Sequence, residues 1–365
     1  MNSISTEEFK KYLVQKISVL DVRAPIEFSA GSIPGSINSP LLNDSERHLI
    51  GLCYQEKGQQ AAIDLGYKIV SGENLKKKML AWTMILEKNP NMFITCFRGG
   101  LRSQSVQKFL SDQGIHVLRL KEGYKSARNF FLEHLNTDAL KRSVVILSGT
   151  TGSGKTHLLN DVADFYPAID LEGLAHHRGS AFGAWDQPQP SQADFENRLS
   201  LQTMQMSQQP FSKPLLLEDE SRMIGACHIP EPFFLKMREA SIILVQESIQ
   251  NRVEHIFFDY ITSKISPKKT LFSQAQIIFS QYRKSVEKIQ KKLGGVRASE
   301  LINDLNICEK AYLDSQTLDK NKIWIEKLLV WYYDPLYRGS LEKRNPSIQF
   351  QGTKVEIKAY LQSLR

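Results

Sequence analysis

The sequence is poor in cysteine, and no two cysteines are close together. Cys53, Cys96, Cys227 and Cys308 are the only four in 365 residues, and none lies in a CxxC spacing. That excludes a disulfide framework or a zinc cluster as the basis of the fold and points to a reducing cytoplasm. No run approaches the ~18 uninterrupted apolar residues of a membrane helix, so no membrane association is expected. The opening stretch, Met1–Lys10, is polar and mixed in charge and does not read as a signal peptide. Internal repeats and low-complexity tracts are also missing. What remains is an ordinary globular composition, 41% hydrophobic and 24% charged, long enough for two domains. The net charge of +8 suits an anionic partner such as nucleic acid.

Apolar runs at Ile17–Leu20 and Met92–Thr95 read as strands. After the second, Leu101, Val106, Phe109 and Leu110 fall at helical spacing, giving the strand–loop–helix order of an α/β fold. Phe130–Leu140 also reads as helical, and Asn136–Asp138 is the candidate boundary. The next unit opens on Val144–Leu147, with further strands at Leu215–Leu217 and Ile242–Val245 and long helices from about Gln250 to Leu313. Gln187–Pro190 reads as a loop.

Cys96 stands in "ITCFRGGLRS", at the end of an apolar run. A free thiol has a pKa of ~8.5, so half-ionising one at neutral pH needs about 2 kcal/mol. A helix N-terminus supplies ~0.3–1 kcal/mol, which leaves a shortfall. Gly99 and Gly100 permit a tight loop with N–H groups turned to the sulfur, Arg98 and Arg102 bring fixed charge, and Ser103 and Ser105 bring hydroxyls. Such a cradle stabilises a thiolate, a persulfide or a selenylated sulfur, or holds an incoming oxyanion. A buried structural cysteine is the alternative for any isolated Cys, and it is the reading for Cys53, Cys227 and Cys308.

"GTTGSGKT" supplies Gly149, Thr150, Thr151, Gly152, Ser153, Gly154, Lys155 and Thr156 in the Gx4GK[ST] spacing. A chance match in a chain of this length is on the order of 1%. With a strand before it and helical Leu158–Leu159 after it, the loop reads as a phosphate cradle at a helix N-terminus. Glu218, Asp219 and Glu220 follow the strand Leu215–Leu217, where Glu218 or Asp219 could orient Mg²⁺ or water. "HHRGSAFG" places His176, His177 and Arg178 in a loop suited to a phosphate or a base; zinc spacing is missing. In Tyr282–Leu293, Val286, Ile289 and Leu293 form an inward stripe. Lys284, Lys288, Lys291 and Lys292 face the other way, as a solvated face or as a track for a phosphate backbone.

"LDVRAPIEFSAGSIPGSINSP", Leu20–Pro40, resembles the opening of a rhodanese domain: Asp21 and Arg23 match its strand-end pair, and Gly31, Ile33, Pro34 and Gly35 match its turn. Cys96 falls where that family carries its sulfur, and "VLRLKEGYKSAR" resembles the closing strand and glycine turn. The implied architecture is α/β: an N-terminal rhodanese-like domain, residues 1–137, and a C-terminal P-loop NTPase-like α/β domain, residues 138–365, with a helical extension. With "CFRGGLRSQS", "GTTGSGKTHLL" and "LLLEDESRMIG" in this order, the chain resembles the tRNA 2-selenouridine synthase family; Phe97 stands where that family usually has tryptophan. The resemblance implies a transferase that alkylates a wobble 2-thiouridine with geranyl diphosphate and then exchanges the thioether for selenium from selenophosphate. Cys96 would take up selenium or activate selenophosphate, with Arg98 and Arg102 on the phosphate, and the P-loop would grip the diphosphate. Phe97 would stack on a base or prenyl chain. The anticodon arm of tRNA is the implied partner, with room for a selenophosphate-producing enzyme and for Mg²⁺ but no tightly bound cofactor. An ATP-dependent tRNA sulfurtransferase or kinase using a Cys96 persulfide, and a non-enzymatic RNA-binding protein with a degenerate rhodanese domain, are the alternatives.

Overall fold

A computed structural model describes residues 3–15, 18–183, 187–206, 213–265 and 270–364. The chain forms two compact units, residues 1–139 with 190–208, and residues 140–189 with 209–365.

The first unit is built on a five-stranded parallel sheet. Its strands are β1 (Ser3–Ile4), β2 (Val19–Asp21), β3 (Ile37–Asn38), β4 (Phe93–Thr95) and β5 (Leu118–Leu120), in the order β1-β5-β4-β2-β3. β2 and β4 are buried along their whole length, as expected for strands covered on both faces. Alternation divides their side chains between two cores. Val19 and Phe93 join Phe9, Tyr124 and Phe131 on one side; Leu20 and Ile94 join Trp82, Val106 and Leu110 on the other.

Two sequence expectations need adjustment here. The helix expected at Phe130–Leu140 begins earlier, at Gly123, and ends at Asn136; a single 3₁₀ turn, Asp138–Leu140, follows it. Residues 190–206, expected within the P-loop domain, pack in the first unit. Their helix, Gln192–Met206, puts Met204 and Leu201 into the Phe9 core. Its polar side chains are anchored to the same unit: Asp194 accepts from Ser32 N at 2.8 Å, Asn197 donates to Ser32 O at 2.7 Å, and Arg128 pairs with Glu196 and Asn197.

The second unit has β6 (Val144–Gly149), β7 (Ala168–Ile169), β8 (Leu215–Glu218), a small hairpin of β9 (Met223–Ile224) and β10 (Cys227–His228), β11 (Ile242–Val245) and β12 (Ile348–Gly352). Its main sheet is parallel, in the order β12-β11-β6-β8-β7. All six residues of the central β6 are buried. Helices Lys155–Val162 and Lys354–Ser363 cover it through Leu158, Leu159, Ile357 and Leu361. A helical portion packs around Phe182, Tyr282 and Trp324, whose ring centroids lie 5.5–5.9 Å apart. In helix Leu271–Leu293 the expected stripe of Val286, Ile289 and Leu293 is buried, and Lys284, Lys288, Lys291 and Lys292 are exposed. Among the described residues no helix is long and apolar enough to cross a membrane.

Candidate active sites

Each unit places one site at the carboxyl end of its middle strand, where a helix begins; in open parallel sheets this is where ligands bind. In the first unit, Cys96 follows β4 and helix Leu101–Ser111 follows the loop. The loop is held closely against the turn after β5: Tyr124 N donates to Cys96 O at 2.8 Å and Lys125 N to Phe97 O at 2.9 Å. Gly99 has φ +63°, and a Cβ there would lie 1.9 Å from Lys121 O, so no other residue fits.

Cys96 is 3% exposed, and hydrocarbon from β4 and the helix backs it. Its Sγ nevertheless faces a polar group: it donates to Ser103 Oγ at 3.2 Å, and Ser103 in turn donates to Gly100 O at 3.1 Å. If the thiol ionised, the hydroxyl could rotate its hydrogen onto the sulfur. The two arginines separate. Arg102 is bonded bidentately to Glu27, at 2.5 and 3.0 Å. Burial works against its charge, but Glu27, then Cys96 and Asp21, more than offset that, and the guanidinium holds its proton more tightly than usual. Arg98 is exposed and lies over the Phe97 ring at 5.8 Å. Phe97 itself is 37% exposed. Of the other cysteines, Cys227 and Cys308 are buried and Cys53 is half-buried, and none of the three forms a disulfide among the described residues. Burial pushes the Cys308 thiol up to about 12, and Asp304 adds to the shift.

In the second unit the residues Gly149–Thr156 wrap the N-terminus of helix Lys155–Val162. At Gly152, φ is +82° and a Cβ would press on Arg252 O at 2.9 Å. The loop is braced from helix Ile249–Ile256: Arg252 donates to Thr151 O, and His255 Nδ1 contacts Gly152 O, both at 2.9 Å. Lys155 Nζ donates to Gly149 O at 2.8 Å. Ser153 Oγ is buried and has no hydrogen-bond partner among the described residues, as a hydroxyl meant for a ligand oxygen would be.

Beside the loop stand three glutamates. Thr156 Oγ1 donates to Glu172 at 3.1 Å, and Glu172 N to Glu218 Oε2 at 3.3 Å. Glu220 Oε2 lies against the backbone of Gly179. Burial first, then mutual repulsion, raises the proton affinity of Glu218 and Glu220 well above the carboxylate range; for Glu172, burial raises it against Lys155. Glu218 Oε1 is buried without a partner among the described residues. No three His, Cys, Asp or Glu side chains among the described residues are arranged to ligate a metal. Thr156 and Glu218 do fit Mg²⁺, which commonly takes one or two protein oxygens and completes its shell with phosphate and water. Asp219 does not share this position: it accepts from Ser148 and pairs with Arg344 at 3.0 Å.

The histidine loop adjoins the glutamates. His177 Nδ1 accepts from Gly179 N at 3.1 Å, and burial, with Lys288 second, lowers its proton affinity. His176 contacts Pro188 O at 3.3 Å. Arg178 is turned inward, donating to Asp259 O at 3.0 Å and lying over Tyr260. Sequence reasoning missed Glu27, Glu172, His255 and Lys354. Lys354 Nζ lies 3.1 Å from His255 Nε2 and beside Gly154. Glu172 could have been found from its place just after a short apolar run; Lys354 gave no local signal.

The tRNA 2-selenouridine synthase AAA domain family matches residues 142–365, and the rhodanese-like domain family matches residues 5–129. A tRNA 2-selenouridine synthase of Bdellovibrio bacteriovorus is 41% identical over 100% of this chain and 99% of its own length. Those of Nitrosomonas europaea and Nitrosomonas eutropha are 39% and 38% identical, each over 99% of this chain and 98% of their own length. The chain belongs to the tRNA 2-selenouridine synthase family.

Proposed function

We propose that the chain converts 2-thiouridine at the wobble position of tRNA to 2-selenouridine by two transfers, through S-geranyl-2-thiouridine. The observation that carries this reading is the presence, in one chain, of a cysteine loop and a phosphate loop, each at the end of a central parallel strand.

In the first transfer the thiocarbonyl sulfur attacks C1 of geranyl diphosphate. A C–S bond forms, the C–O bond breaks, the N3 proton is lost and diphosphate departs. Lys155, the loop N–H groups and Ser153 stabilise the charge that develops on the leaving group. Mg²⁺ bound at Thr156 and Glu218 would neutralise more of it.

In the second transfer, uptake of selenium by Cys96 as a selenosulfide would require an oxidant that no reactant supplies. Activation balances without one. The Cys96 thiolate attacks phosphorus, forming S–P and releasing hydrogen selenide anion, which adds at C2 and expels geranyl thiolate. The selenium-borne proton moves to N3 and restores N3–H, the departing geranyl thiolate takes a proton from solvent, and water cleaves the S–P bond to return the Cys96 thiol and phosphate. Arg102 and Arg98 are the cations for the phosphoryl group. The exposed Lys284, Lys288 and Lys291 suit the backbone of the anticodon arm, whose wobble base must be splayed out to react. The supplier of selenophosphate would be a separate cytoplasmic enzyme.

The test is nucleoside mass spectrometry after incubation with thiolated tRNA and both donors. S-geranyl-2-thiouridine is expected without selenophosphate, and 2-selenouridine with it. Unchanged 2-thiouridine, or tRNA-stimulated phosphate release from ATP as the required step, would overturn the reading.

A further inference from the structure

The first unit contains a cavity of about 840 Å³, within the range of roughly 300–1,000 Å³ typical of small-ligand sites. One wall is helix Asp44–Ile69, which is broken at Gly58 (φ 82°, ψ −177°) and has only one buried residue, Ala62. Leu52, Tyr54 and Tyr67 on this helix line the cavity yet are 40%, 58% and 48% exposed. Such a concentration of wet apolar side chains marks a surface that something covers. The opposite wall is the cysteine loop itself: Phe97, Leu101 and Arg102 line the same space. Leu101, an apolar point of the helical pattern in the sequence, is 49% exposed because it faces this space rather than the core. At the rim, Arg47 and Arg102 share one carboxylate, Glu27, at 3.2 and 2.5 Å. The rim therefore keeps an excess of positive charge over an apolar interior.

We infer that this cavity seats the isoprenoid chain of the thioether intermediate, with its nucleotide phosphate at Arg47 on the rim and its C2 atom toward the Cys96 loop. The inference rests on the two-transfer reading. The shape and charge call for an amphiphile, an apolar chain carrying an anionic head. On that reading the diphosphate donor has its cradle in the P-loop of the second unit, whereas this cavity is lined by Phe97, the residue next to the cysteine of the second transfer. The occupant is thus the alkylated nucleotide, and the cavity is what distinguishes it from unalkylated 2-thiouridine.

Two variants of the full-length protein test this. Gly51 lines the cavity, and a side chain added there meets open space, so Gly51→Trp fills the cavity without strain. Leu52→Glu puts a charge into the wall at an exposed helical position. Wild type is expected to bind S-geranyl-2-thiouridine nucleoside about tenfold more tightly than 2-thiouridine, and both variants to lose that preference. Both are expected to lose about tenfold more selenation, read on pre-geranylated tRNA with selenophosphate, than geranylation, read on thiolated tRNA with the diphosphate donor. Equal binding of the two nucleosides by wild type, or variants that keep both preference and selenation, would overturn the inference. Loss of geranylation in step with selenation would assign the cavity to the donor instead. If wild type makes no product from any tRNA, the two-transfer reading fails, and the nucleoside comparison still decides what the cavity holds.

Discussion

Asp21 and Arg23, two residues apart at the end of β2, are both almost wholly withdrawn from water and bonded at 2.7 Å. Arg23 also donates to Gly31 O and Glu27 O and lies 3.9 Å over the Tyr124 ring. The pair therefore fixes the short helix that carries Glu27, and Glu27 in turn fixes Arg102 beside Cys96. Asp21→Asn leaves a buried guanidinium uncompensated and should cost about 3–5 kcal/mol in denaturant unfolding; a loss under about 1 kcal/mol would mean the pair is dispensable. The glutamates at the P-loop act in the opposite sense. Burial and repulsion raise the folded-state proton affinity of Glu218 above its unfolded value. Their stabilising contribution is complete below the ordinary carboxylate range and is lost as pH rises through the raised value, because the folded state binds more protons than the unfolded one. The melting temperature of wild type should fall as pH rises above the ordinary carboxylate range, and Glu218→Gln should flatten that slope and raise stability at its upper end. A variant less stable than wild type at the upper end would show that the ionised carboxylate is wanted in the resting fold.

Elements were legible in the sequence where a short apolar run met a turn. β4, β6 and β8 lie where runs of Phe, Ile, Val and Leu end at a cysteine, glycine or acid, β11 is the apolar run Ile242–Val245 ahead of Gln246, and helix Leu101–Ser111 lies where the apolar spacing changed. The two loops that matter could be placed because their chemistry is local: glycine, cation and nucleophile within ten residues. What was not legible is long-range. Helix Gln192–Met206 has an apolar stripe, but nothing in it says which of two cores receives Leu201 and Met204. Glu27 reaches Arg102, and Lys354 the P-loop, only through the fold. Met204→Ala should cost about 2–5 kcal/mol and lower the thermal transition of the first unit rather than that of the P-loop unit. If instead it destabilises only the P-loop unit, the helix has been assigned to the wrong core.

For the whole molecule, the account divides two transfers between two sites of different character. The cysteine site is deep, with Sγ against a hydroxyl and hydrocarbon behind it; the Gly149–Thr156 loop brings Lys155 and the buried Ser153 hydroxyl together, with acids beside it. A diphosphate leaving group needs the second and a nucleophilic sulfur needs the first. The most direct measurement is a step-by-step nucleoside analysis of Cys96→Ala and Lys155→Ala in the full-length protein. The account predicts that Cys96→Ala accumulates S-geranyl-2-thiouridine and forms no 2-selenouridine. It predicts that Lys155→Ala forms little thioether, yet still selenates tRNA supplied already geranylated. Failure of both variants at the same step, to the same degree, would contradict it.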